Sequence, residues 1–148
     1  KAGGVMEQQA VNYFARWMIR RDLPDIASWE MDTPYGWDTE RYIKAMRVRN
    51  QIALIVECGQ QVVGVIVYRL LADRIEIRRI SVHPDHRRKG VGRILIEKLK
   101  HRLSAHATRF ALRTQVREDD LKAQLFFKAT GFTGKSYNGK IRFEWVLW

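Results

Sequence analysis

The sequence predicts an α/β domain in which a mixed sheet of about seven strands is flanked by four helices. Three observations lead to this prediction. Segments with strand and helix patterns alternate along the chain, a glycine-rich segment opens directly into an amphipathic helix, and two β-rich runs surround Asn138–Gly139 near the end. Because neither a repeat nor a linker interrupts the pattern, we expect one domain over residues 12–148, preceded by a flexible lead-in at residues 1–11.

The composition is that of a globular protein, with 46% hydrophobic and 29% charged residues. The longest apolar runs, Ile52–Val56 and Val62–Val67, are too short to span a bilayer. The first residues have no secretory leader pattern, so we expect a cytoplasmic protein without membrane contact. The single cysteine, Cys58, excludes an internal disulfide, and no Cys/His spacing predicts a metal site.

The net charge of +11 is concentrated in one part of the chain. Ten basic residues and three acidic ones lie between Arg74 and Arg102. An excess of this kind attracts polyanions such as a phosphorylated cofactor, the ribosome or nucleic acid, and it also occurs as a plain solvated surface.

Each element follows from a local pattern. In chain order we predict a strand at Tyr13–Arg20, a helix from Asp22 to about Glu30, a loop at Met31–Trp37, a helix from Asp38 to about Arg47, a hairpin of Gln51–Glu57 and Gln61–Leu71, a strand at Arg74–Val82, a helix at Gly90–Leu103, a strand at Arg109–Val116, a helix at Asp119–Ala129, and strands at Phe132–Tyr137 and Lys140–Leu147. Asp22 and Asp38 are predicted helix caps, and Pro24 is tolerated in a first helical turn. Gly131 ends the last helix, and Asn138–Gly139 is a hairpin turn.

The fourth strand has an irregular alternation. Ile75 and Ile77 share one parity, whereas Ile80 and Val82 share the other. One extra residue near Arg78–Arg79 would return all four to the same face, so we predict a β-bulge that splays this strand from its neighbour. A strand buried on both faces is the alternative.

A phosphate cradle is predicted after this strand. It consists of Arg87, Arg88, Lys89, Gly90, Val91, Gly92 and Arg93. Unpaired amides at a helix start, glycines that allow close approach, and basic side chains together suit a phosphate or pyrophosphate. The segment fits neither a Walker loop nor a dinucleotide fingerprint, because no G-x-x-x-x-G-K-[ST] run exists and Leu95 replaces the third glycine.

With this cradle, the chain resembles the GNAT N-acetyltransferase superfamily over nearly its whole length, from Ile19 to Phe132. The segments Ile80–Pro84 and Ala123–Phe132 are most similar to the RimI-type enzymes, which acetylate the N-terminal alanine of a ribosomal protein. Glu30, Trp37 and the Val116-Arg117 pair fit the same subfamily.

The resemblance implies acetyl-CoA as co-substrate and no metal. Backbone groups of Ile80, Ser81 and Val82 would bind the pantetheine arm, and amides from Arg88 to Arg93 would bind the pyrophosphate. Asp120 stands where the family usually has an asparagine that bonds the cofactor.

Two residues depart from the family pattern. Gln115 replaces the glutamate that serves as general base, and Phe127 replaces the tyrosine that serves as general acid. As substitutes we consider Glu76 as a base acting through water and Tyr137 as an acid. The alternatives are an ion pair of Glu76 with Arg78 or Arg74, and cross-strand packing of Tyr137.

The predicted activity is acetyl transfer from acetyl-CoA to an amine, and the resemblance favours the N-terminal α-amine of a protein or peptide, ribosomal proteins included. Tyr35 and Trp37 would line the acceptor groove, or else pack in the core. Two alternatives stay open. One is an acetyltransferase for small amines, polyamines or aminoglycosides, and the other is a catalytically weakened acyl-CoA-binding or nucleic-acid-associated module, for which nucleic-acid contact would be nonspecific or ribosome-proximal.

Overall fold

The secondary structure follows the predicted order. A computed structural model describes residues 12–105 and 108–147. Its strands and helices are β1 (Tyr13–Trp17), α1 (Leu23–Glu30), α2 (Thr39–Met46), β2 (Gln51–Cys58), β3 (Gln61–Leu70), β4 (Arg74–Val82), α3 (Val91–Ser104), β5 (Ala111–Arg117), α4 (Leu121–Ala129), β6 (Thr133–Tyr137) and β7 (Lys140–Val146). Single 3-10 turns lie at Arg20–Asp22 and Pro84–His86. The predicted lead-in at residues 1–11 is outside the described residues.

The seven strands form one mixed sheet in the order β1-β2-β3-β4-β5-β7-β6. β4 and β5 run parallel, and the other described neighbours are antiparallel. The β6–β7 hairpin turns at Asn138 and Gly139, whose φ angles of 48° and 77° are both positive, as the predicted two-residue turn requires. The hairpin places β7, the last strand in the chain, beside β5.

The two predicted N-terminal caps have different outcomes. Asp38 caps α2 as predicted, since its Oδ1 accepts a hydrogen bond of 2.8 Å from the Arg41 amide. The prediction for Asp22 is wrong, because its carboxylate accepts from the Ile19 amide at 2.8 Å and from the Arg16 guanidinium at 2.7 and 2.9 Å. These bonds bend the chain into the 3-10 turn, so β1 ends at Trp17 and not at Arg20.

The core has two layers, one on each face of the sheet. β3 lies in the middle, and every residue from Val62 to Tyr68 is buried. The layer beneath α1 and α2 contains Met18, Leu23, Ile26, Trp29, Trp37, Tyr42, Ala45, Ala53, Ile55, Val62, Val65 and Val67. The layer beneath α3 and α4 includes Leu95, Leu99, Leu103, Leu112, Phe127 and Phe143. Among the described residues no helix is long and apolar enough to cross a membrane.

Candidate functional site

The predicted bulge in β4 is present. Val67 of β3 pairs with Arg79 and the next residue, Tyr68, pairs with Ile77, so Arg78 is the extra residue. The bulge changes the parity of the strand, and as a result Ile75, Ile77, Ile80 and Val82 all pack against the core layer beneath α3 and α4. The alternation of isoleucines in the sequence was sufficient to locate it.

β4 and β5 pair over three residues each and then separate. The described pairs are Arg74–Ala111, Ile75–Leu112 and Glu76–Arg113. Beyond them the Thr114 hydroxyl donates to the Ile77 carbonyl at 3.2 Å, which satisfies a backbone group that the separation would otherwise leave unpaired. From there β4 continues along β3 only, so its other edge, at Ile80–Val82, faces the opening between the two strands.

A cavity of about 230 Å³ occupies this opening. Its walls come from the α1–α2 loop, α2, the bulge of β4, the end of β5 and the start of α4. The lining residues are Tyr35, Trp37, Arg41, Ile77, Arg78, Arg79, Ile80, Thr114, Gln115, Val116, Arg117, Asp120, Ala123 and Phe127.

The phosphate cradle lies where β4 leads into α3. Gly90 is the N-cap of α3 with a φ of 90°, a left-handed conformation that favours glycine. The first hydrogen bond inside the helix runs from the Ile94 amide to the Gly90 carbonyl at 3.0 Å, so the amides up to Arg93 have no acceptor within the helix. As the N-cap, Gly90 offers no side chain that could accept from these amides, and a Cβ at that position would meet no atom within 4 Å. The space in front of the cradle is therefore open to an anion.

Two close contacts fix the start of α3. A Cβ at Gly64 of β3 would approach Cγ1 of Val91 to 2.6 Å, and a Cβ at Gly92 would approach the Phe126 ring of α4 to 2.7 Å. Both distances are so short that any other residue would require the Val91 or Phe126 side chain to shift. The amides of the cradle are thus positioned by backbone and ring contacts on two sides.

The basic side chains of the cradle differ in their roles. The Arg93 guanidinium donates to the Ala129 carbonyl at the end of α4, at 3.1 Å, and Arg87 donates to the Val82 carbonyl at 3.2 Å. Arg88 has a φ of 63°, and Arg87, Arg88 and Lys89 are all exposed. Arg93 therefore links α3 to α4, while Arg88 and Lys89 have no described side-chain partner and can meet a phosphate.

His83 and His86 lie at the 3-10 turn that precedes the cradle. The Tyr13 hydroxyl lies 3.0 Å from Nδ1 of His86, and the His83 ring packs on Trp29 with 5.6 Å between ring centres. Burial, with added repulsion from His83 and Lys89, lowers the pKa of His86. Its imidazole is therefore neutral at pH 7, and it serves as packing rather than as a charged phosphate ligand.

A buried carboxylate, Glu30, connects the walls of the cavity. Its side chain is completely inaccessible to solvent. It accepts hydrogen bonds from the Arg79 guanidinium at 2.8 and 2.9 Å, from the Ser81 hydroxyl at 2.6 Å and from the Tyr42 hydroxyl at 2.5 Å. The Trp37 amide and the Thr33 hydroxyl donate to it from the α1–α2 loop. One side chain of α1 thus connects α2, the loop and β4 beside its bulge.

The ionisation of this network follows from its contacts. Burial raises the pKa of Glu30, but the bonds and charge of Arg79, with the hydroxyls of Ser81 and Tyr42, outweigh it and leave this pKa below its ordinary value. Burial and the negative charge of Glu30 raise the pKa of Tyr42 far above its usual range. At neutral pH the network therefore contains one carboxylate, one guanidinium and a protonated phenol.

Gln115 and Phe127, which stand at the family's base and acid positions, both line the cavity. Gln115 is exposed on β5. Phe127 is 2% exposed and stacks on Phe143, with 5.8 Å between ring centres. The wall at these positions therefore presents an amide and an aromatic ring.

Besides Ile80 on the free edge of β4, three of the predicted cofactor and acceptor residues also line the cavity. Asp120 caps α4 by accepting from the Ala123 amide at 3.1 Å. Trp37 is buried beneath the Arg41 guanidinium, which lies 4.4 Å from the ring centre. Tyr35 is half exposed under the Arg117 guanidinium at 4.5 Å. Trp37 consequently serves both core and wall, and Tyr35 is available at the entrance.

The two substitute catalytic residues lie outside the described lining. Glu76 pairs with Arg113 across the last β4–β5 rung, and its carboxylate is 3.7 Å from the Arg78 guanidinium. Tyr137 ends β6, 57% exposed, under the Arg142 guanidinium at 5.1 Å. Any part that Glu76 plays in proton transfer would have to pass through water.

The sequence interpretation missed the link between Glu30 and Arg79. The sequence did contain a signal. The predicted bulge places Arg79 near the core, and a guanidinium that is buried there needs an acidic partner. Nothing local indicates which acid, since the two residues are 49 positions apart. Within the described residues, no three His, Cys, Asp or Glu side chains converge as a metal site would require.

Comparison with known proteins agrees with this geometry. Residues 15–132 match the profile of the Acetyltransferase (GNAT) family, which is most of the chain. No curated protein sequence matches the chain. Among solved structures, the ribosomal-protein-S18-alanine N-acetyltransferase from Escherichia coli is similar with 18% identity and a TM-score of 0.75, over 92% of this chain and 93% of that one.

Two further structures are similar over comparable lengths. Ard1 from Thermoplasma volcanium has 19% identity and a TM-score of 0.78, over 93% of this chain and 99% of that one. NAA60 from Arabidopsis thaliana, solved in complex with acetyl-CoA, has 14% identity and a TM-score of 0.74, over 91% of this chain and 98% of that one. At these identities the similarity shows a shared fold.

Proposed function

This chain belongs to the acetyltransferase (GNAT) family, and from that premise we propose that its acceptor is the N-terminal α-amine of a protein or peptide. As a member of the family it takes the acetyl group from acetyl-CoA. The proposal concerns the acceptor, the residues that hold each substrate, and the way in which the amine loses its proton.

The cradle and the free edge of β4 are suited to hold acetyl-CoA. The amides of Arg88–Arg93 would bind the pyrophosphate, with Arg88 and Lys89 adding charge. Backbone groups of Ile80–Val82, on the edge that β5 leaves, would bind the pantetheine arm. When bound there, the cofactor supplies an acetyl thioester, which a neutral amine can attack.

The choice of acceptor rests on the residue at the family's general-base position. Gln115 stands where a carboxylate is expected, and an amide does not take up a proton at neutral pH. An α-amine has a pKa of about 7.7–8.0, against about 10.4 for a lysine side chain. At pH 7 a sizeable fraction of an α-amine is already neutral, so this acceptor depends least on a protein base.

The shape of the entrance also supports a peptide. The half-exposed Tyr35 lines an opening between β4 and β5, where an extended main chain can form strand-edge hydrogen bonds. Among the similar structures, the Escherichia coli enzyme is named a ribosomal-protein-S18-alanine N-acetyltransferase, which refers to a protein as the acceptor. Ribosomal proteins as acceptors, and a cytoplasmic location, stay predictions.

Acetylation rates of matched acceptors test the proposal. The panel contains peptides that begin with Ala, Ser, Met or Gly, the same peptides N-blocked with one free lysine, a polyamine and an aminoglycoside. We expect product on the free α-amines, with a rate that rises with pH through about 7.7–8.0 as the amine loses its proton. Faster acetylation of the lysine peptides or of the small amines would refute the proposed acceptor.

A further inference from the structure

Most of the charged side chains that line the cavity are cationic. Arg41, Arg78, Arg79 and Arg117 contribute guanidinium groups, and the lining contains a single carboxylate, that of Asp120. Such a wall would repel polyamines and aminoglycosides, whose positive charges need acidic partners.

Two of the four arginines donate two hydrogen bonds each to a neighbouring acid. Arg79 forms two hydrogen bonds with the buried Glu30, at 2.8 and 2.9 Å. Arg117 forms two bonds of 3.0 Å with Asp119. Their charges are therefore already paired, and each fork is largely used.

The other two retain free donors. Arg78 is the bulge residue and its side chain is 43% exposed; it forms an ion pair with Glu76 at 3.7 Å, but no hydrogen bond of its guanidinium is described, so its N–H donors stay open. Arg41, on α2, packs its guanidinium over the Trp37 ring, and none of the ion pairs within residues 12–105 and 108–147 includes it. Packing on an aromatic face leaves the in-plane N–H donors of a guanidinium free for a ligand.

A carboxylate is the ligand that these donors suit. A guanidinium presents two parallel N–H groups that match the two oxygens of a carboxylate, and the bond is stronger because both groups are charged. The one acid in the wall, Asp120, already accepts from the Ala123 amide at the start of α4. Asp120 is not the described ion-pair partner of Arg78, which is Glu76, and Arg41 has no described ion pair, so Asp120 leaves the N–H donors of both arginines open.

From these contacts we infer that the preferred acceptors are peptides with an acidic side chain within their first three residues, bound by Arg41 and Arg78 at the mouth of the cavity. The inference rests on the proposed function and specifies the acceptor class of the same site. A free amino acid also places a carboxylate near an amine, and the experiment separates that source from a peptide side chain.

Specificity constants for acceptors that differ only in charge test the inference. The acceptors are peptides with Ala at position 1 and Glu, Gln or Lys at positions 2 and 3, together with free glutamate. For the wild-type protein we expect kcat/KM to be about tenfold higher for the Glu peptide than for the Gln peptide, the size of one charge-assisted hydrogen bond. The advantage should appear mainly in KM and should shrink as salt is added.

Variants assign this preference to the two arginines. Arg41→Gln and Arg78→Gln should each lower kcat/KM for the Glu peptide and leave the Gln peptide within about twofold. Arg78→Glu should shift the preference toward the Lys peptide, an outcome that mere loss of structure cannot produce. The control is Arg47→Gln, which removes an exposed arginine just after α2, outside the cavity lining, and should change no ratio.

The possible failures are distinguishable. Equal acetylation of the Glu, Gln and Lys peptides would overturn the inference and leave the proposed function intact. Acetylation of free glutamate without any peptide would overturn both, as would activity on lysine side chains alone. An unchanged charge preference in Arg41→Gln and Arg78→Gln would also refute the assignment of these residues.

Discussion

Replacing Glu30 by glutamine should strongly destabilise the protein while preserving the shape of the side chain. The carboxylate accepts at both oxygens: Oε1 from Arg79, Ser81 and Thr33, and Oε2 from Arg79, Tyr42 and the Trp37 amide. In glutamine one of these atoms becomes an NH₂ group, so half of the donors would face another donor. Arg79, with a side chain only 15% exposed, would also lose its counter-charge.

The expected magnitude follows from the burial of the pair. Removing one partner of a buried ion pair costs about 3–5 kcal/mol. For a domain of this size each kcal/mol lowers the melting temperature by about 2–4 °C, so we expect a decrease of about 6–20 °C at pH 7. The matched control is Glu40→Gln, which breaks a pair with Lys44 that is 3.9 Å long and more than 70% exposed on both sides. It should change stability by less than about 0.5 kcal/mol.

The pH dependence gives an independent check. Because the pKa of Glu30 is lower in the folded protein than its ordinary value of 4.5, its ionisation stabilises the fold above about pH 4.5. That contribution is lost as the pH falls through the folded pKa, so the difference between the wild-type protein and Glu30→Gln should narrow in acid. Calorimetry at several pH values measures both effects. A melting temperature for Glu30→Gln within about 2 °C of the wild type at pH 7 would show that the network is not a main source of stability.

Two further predictions concern the cradle and the aromatic wall. Gly90→Val should weaken acetyl-CoA binding, because a β-branched residue resists the left-handed φ of 90° and crowds the anion; calorimetric titration measures the affinity. The control Gly59→Val, at a turn with a φ of 64° and equally free space, should lose stability without losing affinity. Equal affinities for the wild type and both variants would contradict the role of the cradle. Phe127→Tyr should raise the single-turnover rate or leave it nearly unchanged, because the ring lines the cavity and a hydroxyl there can donate a proton; a sharp fall would mean that the ring serves to shape the site.

Local patterns predicted most of the fold. The order of elements, the Asp38 cap and the Asn138–Gly139 turn each depend on neighbouring residues, and a short window of sequence is enough to read them. The β4 bulge was also predictable, because the parity of four apolar residues records it directly. The cradle was predictable for the same reason, since its glycines and helix start are contiguous.

Long-range contacts account for what could not be predicted. The Asp22 carboxylate satisfies Arg16 and the Ile19 amide instead of α1, a choice that depends on how β1 meets the next turn. The position of β7 between β5 and β6, and the pairing of Glu30 with Arg79, join segments that are distant in sequence. These pairings decide which arginines at the cavity keep free hydrogen-bond donors. The charge of the site therefore depends on the folded structure and could not be predicted from the sequence.

The separation of β4 from β5 has a mechanical consequence. The sheet consists of two parts, β1–β4 and β5-β7-β6, which the described strand pairs join at one end only. Side-chain contacts brace the parts on opposite faces; for example, the Phe126 ring packs against Gly92 on one, and the Arg117 guanidinium lies over the Tyr35 ring on the other. A small rotation about the joined end would alter the gap most at its far end, where the substrates enter. The width of that gap is therefore governed by contacts between helices and loops, the bond from Arg93 to the Ala129 carbonyl among them, rather than by the hydrogen bonds of the sheet.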